Sequence, residues 1–352
     1  MKGQYCKSIY TLLYSMKDRK TIVAIVCGGD SSEHDVSLRS ARGIDSFMDH
    51  DRYDTYIVEL TGNSWVEHLG DERIPVGREH FTLTDSEGNS IRPDFAYITI
   101  HGTPGEDGKL QGYFDMIGLP YSTSDVLVEA MTFNKFTLNQ YLKGFGVSVS
   151  ESLVVRKGQE GDINPDDIIS RIGLPCFVKP NAGGSSFGVT KVKEADQLMP
   201  AIEFAMQESS EVMVEAFMSG TELTCGCYKT RQKQVVFPVT EVVSHNEFFD
   251  YDAKYKNESD EITPARISDS LRDRVQAITS TIYDILGCRG LIRVDYIVTT
   301  STDPDGKERQ KVNMLEINTT PGMTATSFIP QQVRAAGLDI KDVLTDIIED
   351  LL

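Results

Sequence analysis

The chain has 352 residues, enough for two or three packed modules around more than one core. Its hydrophobic and charged fractions, 40% and 25%, are those of an ordinary globular protein. A formal net charge of −18 argues against a nucleic-acid groove or an anionic-membrane surface, since both need basic patches, but a phosphate pocket needs only a few lysines or arginines inside an acidic envelope.

Residues 1–20 hold no apolar core longer than Ile9–Tyr14 and no small-residue cleavage site. They do not read as a secretory signal and are expected to form a disordered extension, with Met16 as an alternative start. Thr21–Cys27 is a continuous β-branched apolar run ending on Gly28-Gly29, which predicts a buried parallel strand opening into a loop. Helical spacing follows over Ser37–Met48, then strands at Tyr53–Leu60 and Phe95–Ile100, the last stopping at His101-Gly102. Strands alternating with helices predict an open α/β sheet over 21–121, with ligands at the carboxyl ends of its strands. Val126–Gly144 predicts one helix and Ala195–Gln207 another. With strands at Leu153–Val155, Cys176–Pro180 and Val212–Glu215, they make an α+β module over 122–216. The remainder, 217–352, is expected to hold strands near Glu222–Tyr228, Val235–Val243, Ile292–Thr299 and Lys311–Ile317, and a long helix at Asp269–Leu286. Its polar insert, 244–264, is too long for a tight turn and reads as a lid or binding loop. No run of eighteen apolar residues occurs, so no transmembrane helix is expected. The six cysteines include no CxxC pair, which predicts reduced thiols and a cytoplasmic setting. Cys225 and Cys227, two apart on a strand, are expected to face the core together.

Several segments can carry chemistry. After Lys179, the small residues Pro-Asn-Ala-Gly-Gly-Ser185-Ser186-Phe-Gly188 let backbone N–H groups approach phosphate oxygens while the ammonium supplies charge. A glycine-rich hairpin with a solvated lysine fits the same letters. Arg293 and Asp295 share one strand face, and Glu316 and Asn318 share one face of another. If those strands are neighbours, Asp295, Glu316 and Asn318 converge as hard oxygen ligands for magnesium on nucleotide phosphates, with Arg293 beside them. An amphipathic sheet with its polar face in water gives the same alternation. Asn318-Thr-Thr-Pro321-Gly322 is a turn able to present the Gly322 N–H to a ligand oxygen. Glu33-His34-Asp35-Val36-Ser37 opens a helix: either Asp35 or Ser37 caps it and Glu33 is solvated, or the helix N-terminus holds an anion. His34 reads as structural. His101–Gly108 is a polar turn cluster at another strand end. Phe248–Tyr255 reads as a hydrophobic plug, or as a lid carrying Lys254 to phosphates and Tyr255 to the substrate.

Taken in order, GGDSSEHDVSLRSA, HGTPGEDGKLQGYFDMIGLPY, FVKPNAGGSSFGVTKV, FFDYDAKY, RVDYIV and EINTTPGMTATSFIPQQVRAAG resemble the D-alanine–D-alanine ligase family of the ATP-grasp superfamily, over about residues 27–337. The resemblance implies an α/β ATP-grasp fold of three domains (21–121, 122–216 and 217–352), with ATP between the central and C-terminal ones. It implies ligation of two D-alanine molecules at the expense of ATP, through an acyl phosphate, for peptidoglycan precursor synthesis. ATP contacts would come from Lys135, Lys179 and Lys254, an adenine hinge from Glu215, Phe217 and Met218, and ribose binding from Glu222. Asp295, Glu316 and Asn318 would ligate two magnesium ions, with manganese as a substitute. Glu33 would meet the ammonium of the first D-alanine, His101 would line that pocket, and Ser327 would hold the carboxylate of the second. Ser185 and Tyr255 would join Glu33 in a hydrogen-bonded set over the substrates, and Arg293 with the Gly322 N–H would stabilise the tetrahedral oxyanion. A homodimer through the N-terminal domain is implied as well.

Phe217 stands where the family often has tryptophan, and Phe249 where many members have tyrosine. Tyr255 is kept, which favours an amine over D-lactate as second substrate. The competing readings are a sister ligase taking D-lactate or D-serine second, and a non-catalytic nucleotide-binding relative. The latter is expected to lose a phosphate lysine or a metal ligand, and every mapped position is retained. A dinucleotide-dependent oxidoreductase fails because no GxGxxG follows a strand.

Overall fold

The computed structural model describes residues 19–159, 161, 163–184, 188–244 and 259–352. Most of the expected leading extension, most of the insert 244–264, and the predicted site residues Ser185, Lys254 and Tyr255 lie outside the described residues.

Three sheets carry the fold. In the first, β1 (Thr21–Gly28) leads through α1 (His34–Phe47) to β2 (Tyr53–Thr61). An antiparallel ribbon, β3 (Ser64–Leu69) and β4 (Glu72–Pro75), follows, then a short hairpin, β5 (Leu83–Thr84) and β6 (Ser90–Ile91), and finally β7 (Phe95–Ile98). The order is β4-β3-β2-β1-β7, with β1 parallel to both of its neighbours. Val23–Val26 have no exposed surface, as a strand covered on both faces requires.

Next come α2 (Lys109–Ile117), α3 (Val126–Phe133) and α4 (Lys135–Gly144). The stretch expected as one helix is therefore two. Asn134 is extended (φ −89°, ψ 95°), and its side chain accepts the Thr137 N–H at 2.9 Å as the N-cap of α4. The apolar spacing runs through the break and hides it. The break has a purpose in three dimensions: Asn181, at the start of the glycine-rich loop, donates to Asn134 at 3.0 Å and accepts the Lys135 N–H at 3.0 Å.

The second sheet is built from β8 (Ser152–Arg156), β9 (Cys176–Pro180), β10 (Thr190–Val192) and β11 (Glu211–Ala216), with α5 (Pro165–Ile172) and α6 (Leu198–Ala205) packed on it. It is antiparallel in the order β10-β9-β11-β8.

The third sheet holds β12 (Thr221–Lys229), β13 (Gln234–Val236), β14 (Thr240–Ser244), β15 (Ser259–Ile262), β16 (Leu291–Thr302) and β17 (Glu308–Asn318), with α7 (Asp269–Leu286) against it and α8 (Phe328–Ala335) and α9 (Ile340–Leu351) completing the chain. The single strand expected over Val235–Val243 is two, split around Phe237-Pro238-Val239, where proline has no N–H to give the ladder. The wholly buried Gln332 of α8 satisfies the interrupted ladder. Its amide donates to the Thr224 carbonyl (3.1 Å) and the Thr240 hydroxyl (3.0 Å), and its carbonyl accepts the Gly226 N–H (2.9 Å).

The cores cross between sheets. Val128, Leu138 and Leu142 of α3 and α4 pack with Leu223, Val294 and Met314 of the third sheet. Val343, Leu344 and Ile347 of α9 pack with Val23 and Ile25 of the first and with Ile44 of α1. Gly43 of α1 lies so close to the turn after β17 that a Cβ there would stand 2.4 Å from the Met323 carbonyl oxygen. Cys27, Cys176, Cys225, Cys227 and Cys288 are all buried and free, with Cys225 and Cys227 in one core as expected.

Candidate active site between the sheets

A cleft separates the second sheet from the third and continues toward the ends of β1 and β7. It comprises cavities of about 520 and 590 Å³ that share Lys135, Gly183, Gly184, Arg293, Glu316 and Phe328 in their walls. Every predicted site residue among the described ones lines this cleft.

In the first half, β9 delivers Lys179, whose ammonium donates to Glu215 of β11 at 2.5 Å. Both side chains are nearly buried, and the other Glu215 oxygen, Oε1, has no partner. A buried acceptor left open is costly unless a ligand donor meets it. Phe217 continues this edge beside Phe177, with ring centroids 5.8 Å apart, and the Lys191 ammonium stands 4.1 Å over its ring. Met218 and Glu222 complete the wall, and Lys135 reaches in from α4 to donate to the Gly183 carbonyl at 2.6 Å.

The two acid-bearing strands are neighbours. β16 and β17 pair antiparallel, with Asp295 opposite Glu316 and Arg293 opposite Asn318, and the register shifts between Asp295 and Tyr296. Arg293 forks onto Asp295 at 2.9 and 2.8 Å, Thr224 donates to Asp295 at 2.5 Å, and the Asn318 amide does so at 3.2 Å. The face of the Arg293 guanidinium is covered by the Phe328 ring, 5.0 Å away. Burial works against the charge on Arg293, but Asp295, then Glu316 and Glu261, overcome it and hold the guanidinium firmly protonated. The water-facing alternation is thereby set aside: these polar residues face the cleft.

In the second half, Glu33 occupies the N-cap position of α1 without making a capping bond. Its carboxylate abuts the glycine-rich loop, so that a Cβ at Gly184 would lie 2.5 Å from Glu33 Oε2. Ser37, one candidate for the cap, instead straps two strand ends, accepting the Gly28 N–H (2.9 Å) and donating to the Thr99 carbonyl (2.6 Å). His34 is tied to Thr61 and Glu59 of β2, and Asp35 is exposed. His101 is buried with its Nε2 unpartnered. Burial lowers its pKa, Glu33 pulls the other way and Arg293 lowers it further, which favours the neutral ring. Ser327 stands at the N-cap of α8, hydrogen-bonded to Thr324, and a Cβ at Gly322 would touch its hydroxyl at 3.0 Å.

Four polar residues given no individual role from the sequence also matter, one of them, Glu106, within the polar turn cluster His101–Gly108. Glu129 is wholly buried, accepts the Thr319 hydroxyl and is driven toward its protonated form by burial. Glu261 and Gln331 share the second cavity, and so does Glu106. Glu106 accepts from the Gly102 N–H (2.6 Å) and the Thr320 hydroxyl (3.0 Å). Burial, then the charge of Glu33, pushes its pKa up from 4.5 to about 7. Because the folded protein holds this proton more tightly than the unfolded chain, Glu106 costs nothing below about pH 4.5 and destabilises progressively as pH rises to about 7. Urea unfolding of Glu106→Gln against the parent at pH 5 and pH 8 is expected to show the variant gaining relative stability at pH 8, by on the order of 2 kcal/mol. An equal difference at both values counts against a shifted carboxyl.

The chain matches the family models described as D-ala D-ala ligase N-terminus over residues 22–124 and D-ala D-ala ligase C-terminus over residues 141–349. It is 65% identical over 332 residues to a D-alanine–D-alanine ligase of Phocaeicola vulgatus, covering 94% of this chain and 99% of that one. With the D-alanine–D-alanine ligase of Porphyromonas gingivalis strain W83 it shares 52% over 333 residues, covering 94% and 98%. Among solved structures, the VanG D-Ala:D-Ser ligase from Enterococcus faecalis superposes with a TM-score of 0.82 at 30% identity, covering 95% and 100%. A D-alanine–D-alanine ligase from Bacillus anthracis complexed with ATP superposes with a TM-score of 0.70 at 27% identity, covering 94% and 96%.

Proposed function

Because the chain belongs to the D-alanine–D-alanine ligase family, we propose that its cleft takes ATP in the first half and two D-alanine molecules in the second. The protein is an ATP-dependent ligase that makes D-alanyl-D-alanine for peptidoglycan synthesis. The observation that carries the reading is the continuity of the two cavities at Lys135, Arg293 and Glu316, where phosphates in one and an amino-acid carboxylate in the other would meet.

In this reading the unpartnered Glu215 oxygen accepts from the adenine amino group, Phe217 and Met218 bound the base, and Glu222 holds the ribose. Lys135 and Lys179, with Lys254 from the insert, neutralise the phosphates. Asp295, Glu316 and the Asn318 amide are a hard-oxygen set suited to magnesium. Among the described residues no group of three or more His, Cys, Asp or Glu is placed to hold a metal, and the set here would include the Asn318 amide. A magnesium ion held by these residues would lower the charge on the transferring phosphate.

Glu33 pairs with the ammonium of the first D-alanine, whose carboxylate is thereby aimed at the terminal phosphate, and the buried neutral His101 backs that pocket. The carboxylate of the second D-alanine sits at the N-terminus of α8, where Ser327 and free backbone N–H groups favour an anion. Its amine attacks the acyl phosphate, and the oxyanion that forms is met by Arg293 and the Gly322 N–H. Ser185 and Tyr255 close the set over the substrates. Cytoplasmic residence and a homodimer through the N-terminal domain belong to the same proposal. The five buried free thiols favour the first, and no described helix is long and apolar enough to cross a membrane.

The test is phosphate release by the purified protein with ATP, magnesium and D-alanine, against L-alanine and no-amino-acid controls, with products identified by mass. Release that requires D-alanine and yields the dipeptide is expected. Release only after D-serine or D-lactate is added would move the assignment to a sister ligase.

A further inference from the structure

We propose that Glu261 recognises the ammonium group of the second amino acid, and thereby makes the ligase select an amino acid over a hydroxy acid at that position. The inference rests on the assignment of the second-substrate carboxylate to the start of α8. Glu261 lies on β15, opposite Val242 of β14, and lines the same cavity as Gly322 and Ser327. Its Oε2 accepts from the Gln331 amide at 2.5 Å, and that amide also donates to the Thr326 carbonyl at 2.7 Å. Residues 327 and 331 are four apart, on one face of α8, so Gln331 holds the carboxylate one helical turn from the anion site at Ser327.

A zwitterionic amino acid carries its two charges on groups separated by a single carbon. A pocket with an anion-binding helix end and a carboxylate one turn away therefore fits both charges at once. A hydroxy acid satisfies only the first. The groups facing Glu261 are consistent with a charged partner. Burial disfavours a negative charge on Glu261, the Gln331 hydrogen bond and the nearby Arg293 charge offset that only in part, and an arriving ammonium adds a direct counter-charge in place of water.

The experiment compares the parent with Glu261→Gln, Glu261→Asp and Gln331→Met. First, D-alanine-dependent phosphate release by the parent is confirmed; its absence would sink the ligase reading itself rather than this proposal. With activity in hand, Glu261→Gln is expected to raise KM for the second D-alanine about tenfold, roughly the worth of one charge-assisted hydrogen bond. KM for the first D-alanine and for ATP should stay within about twofold of the parent. In competition with D-lactate, the amine-to-hydroxyl preference in kcat/KM should narrow by the same factor, and Glu261→Asp should recover part of it. Gln331→Met keeps the charge but removes the hydrogen bond that holds it in place, and it should narrow the preference clearly less than Glu261→Gln does. An unchanged preference in Glu261→Gln, or an equal shift in Gln331→Met, would overturn the proposal and leave Glu261 as a structural brace.

Discussion

Replacing Arg293 with alanine is expected to lower kcat by about a hundred- to a thousandfold while changing ATP affinity only a few-fold. The guanidinium stands where the two cavities join, and Asp295 and Phe328 fix its orientation before any substrate arrives. A cation held in this orientation needs little reorganisation as negative charge develops on the acyl oxygen, so its effect should fall on the transition state rather than on binding. The same fork also holds Asp295, a proposed magnesium ligand. Single-turnover rates and nucleotide titrations separate the two roles. Equal losses in kcat and in ATP affinity would show that Arg293 acts by positioning Asp295. Arg293→Lys, which keeps the charge without the bidentate fork, should fall between parent and alanine variant.

The second large effect concerns stability. Gln332→Leu is expected to cost about 3 kcal/mol, because it takes their buried side-chain partner from the Gly226 N–H and the Thr224 carbonyl and leaves the Thr240 hydroxyl with Thr263 alone. Leucine nearly matches the glutamine in size, so the loss measures the hydrogen bonds more than packing. Urea unfolding should show a lower midpoint with little change in slope, and kcat per folded molecule should be preserved. A change below about 1 kcal/mol would mean that water reaches these groups.

How far these features can be read in the sequence depends on where their partners lie. β1 is legible because both of its faces are buried, so burial appears as an unbroken apolar run. The helix predicted at Asp269–Leu286 has the observed bounds, with Ser268 capping it and Gly287 left-handed at its end. The ribbon β3–β4 is hidden because Glu67, at 1% exposure, sits inward to accept the Thr84 N–H at 2.8 Å. α9 could have been found: Asp339 caps it, and Val343, Leu344, Ile347 and Ile348 form a buried stripe at helical spacing. Site residues that follow one another in a strand or turn, such as Arg293 with Asp295 or Asn318 with Gly322, are legible because the chain itself sets their spacing. Glu261 and Gln331 are 70 residues apart in sequence and meet only when β15 comes over α8, so no local pattern announces them.

The turn after β17 is fastened from several sides. Thr319 donates to Glu129 of α3, Thr320 to the Ile100 carbonyl and to Glu106, and the Met323 N–H to Ser40 of α1. With α9 packed beneath the first sheet, the first and third sheets become a single anvil that carries Glu33, His101, Gly322 and Ser327 in fixed relation. The second sheet, joined through the short segments 145–151 and 217–220 and through the hydrogen bonds of Asn181 to Asn134 and Lys135, is the hammer. If nucleotide enters between hammer and anvil as proposed, the residues proposed to seat the two amino acids all lie on the anvil, and their spacing does not depend on where the second sheet sits.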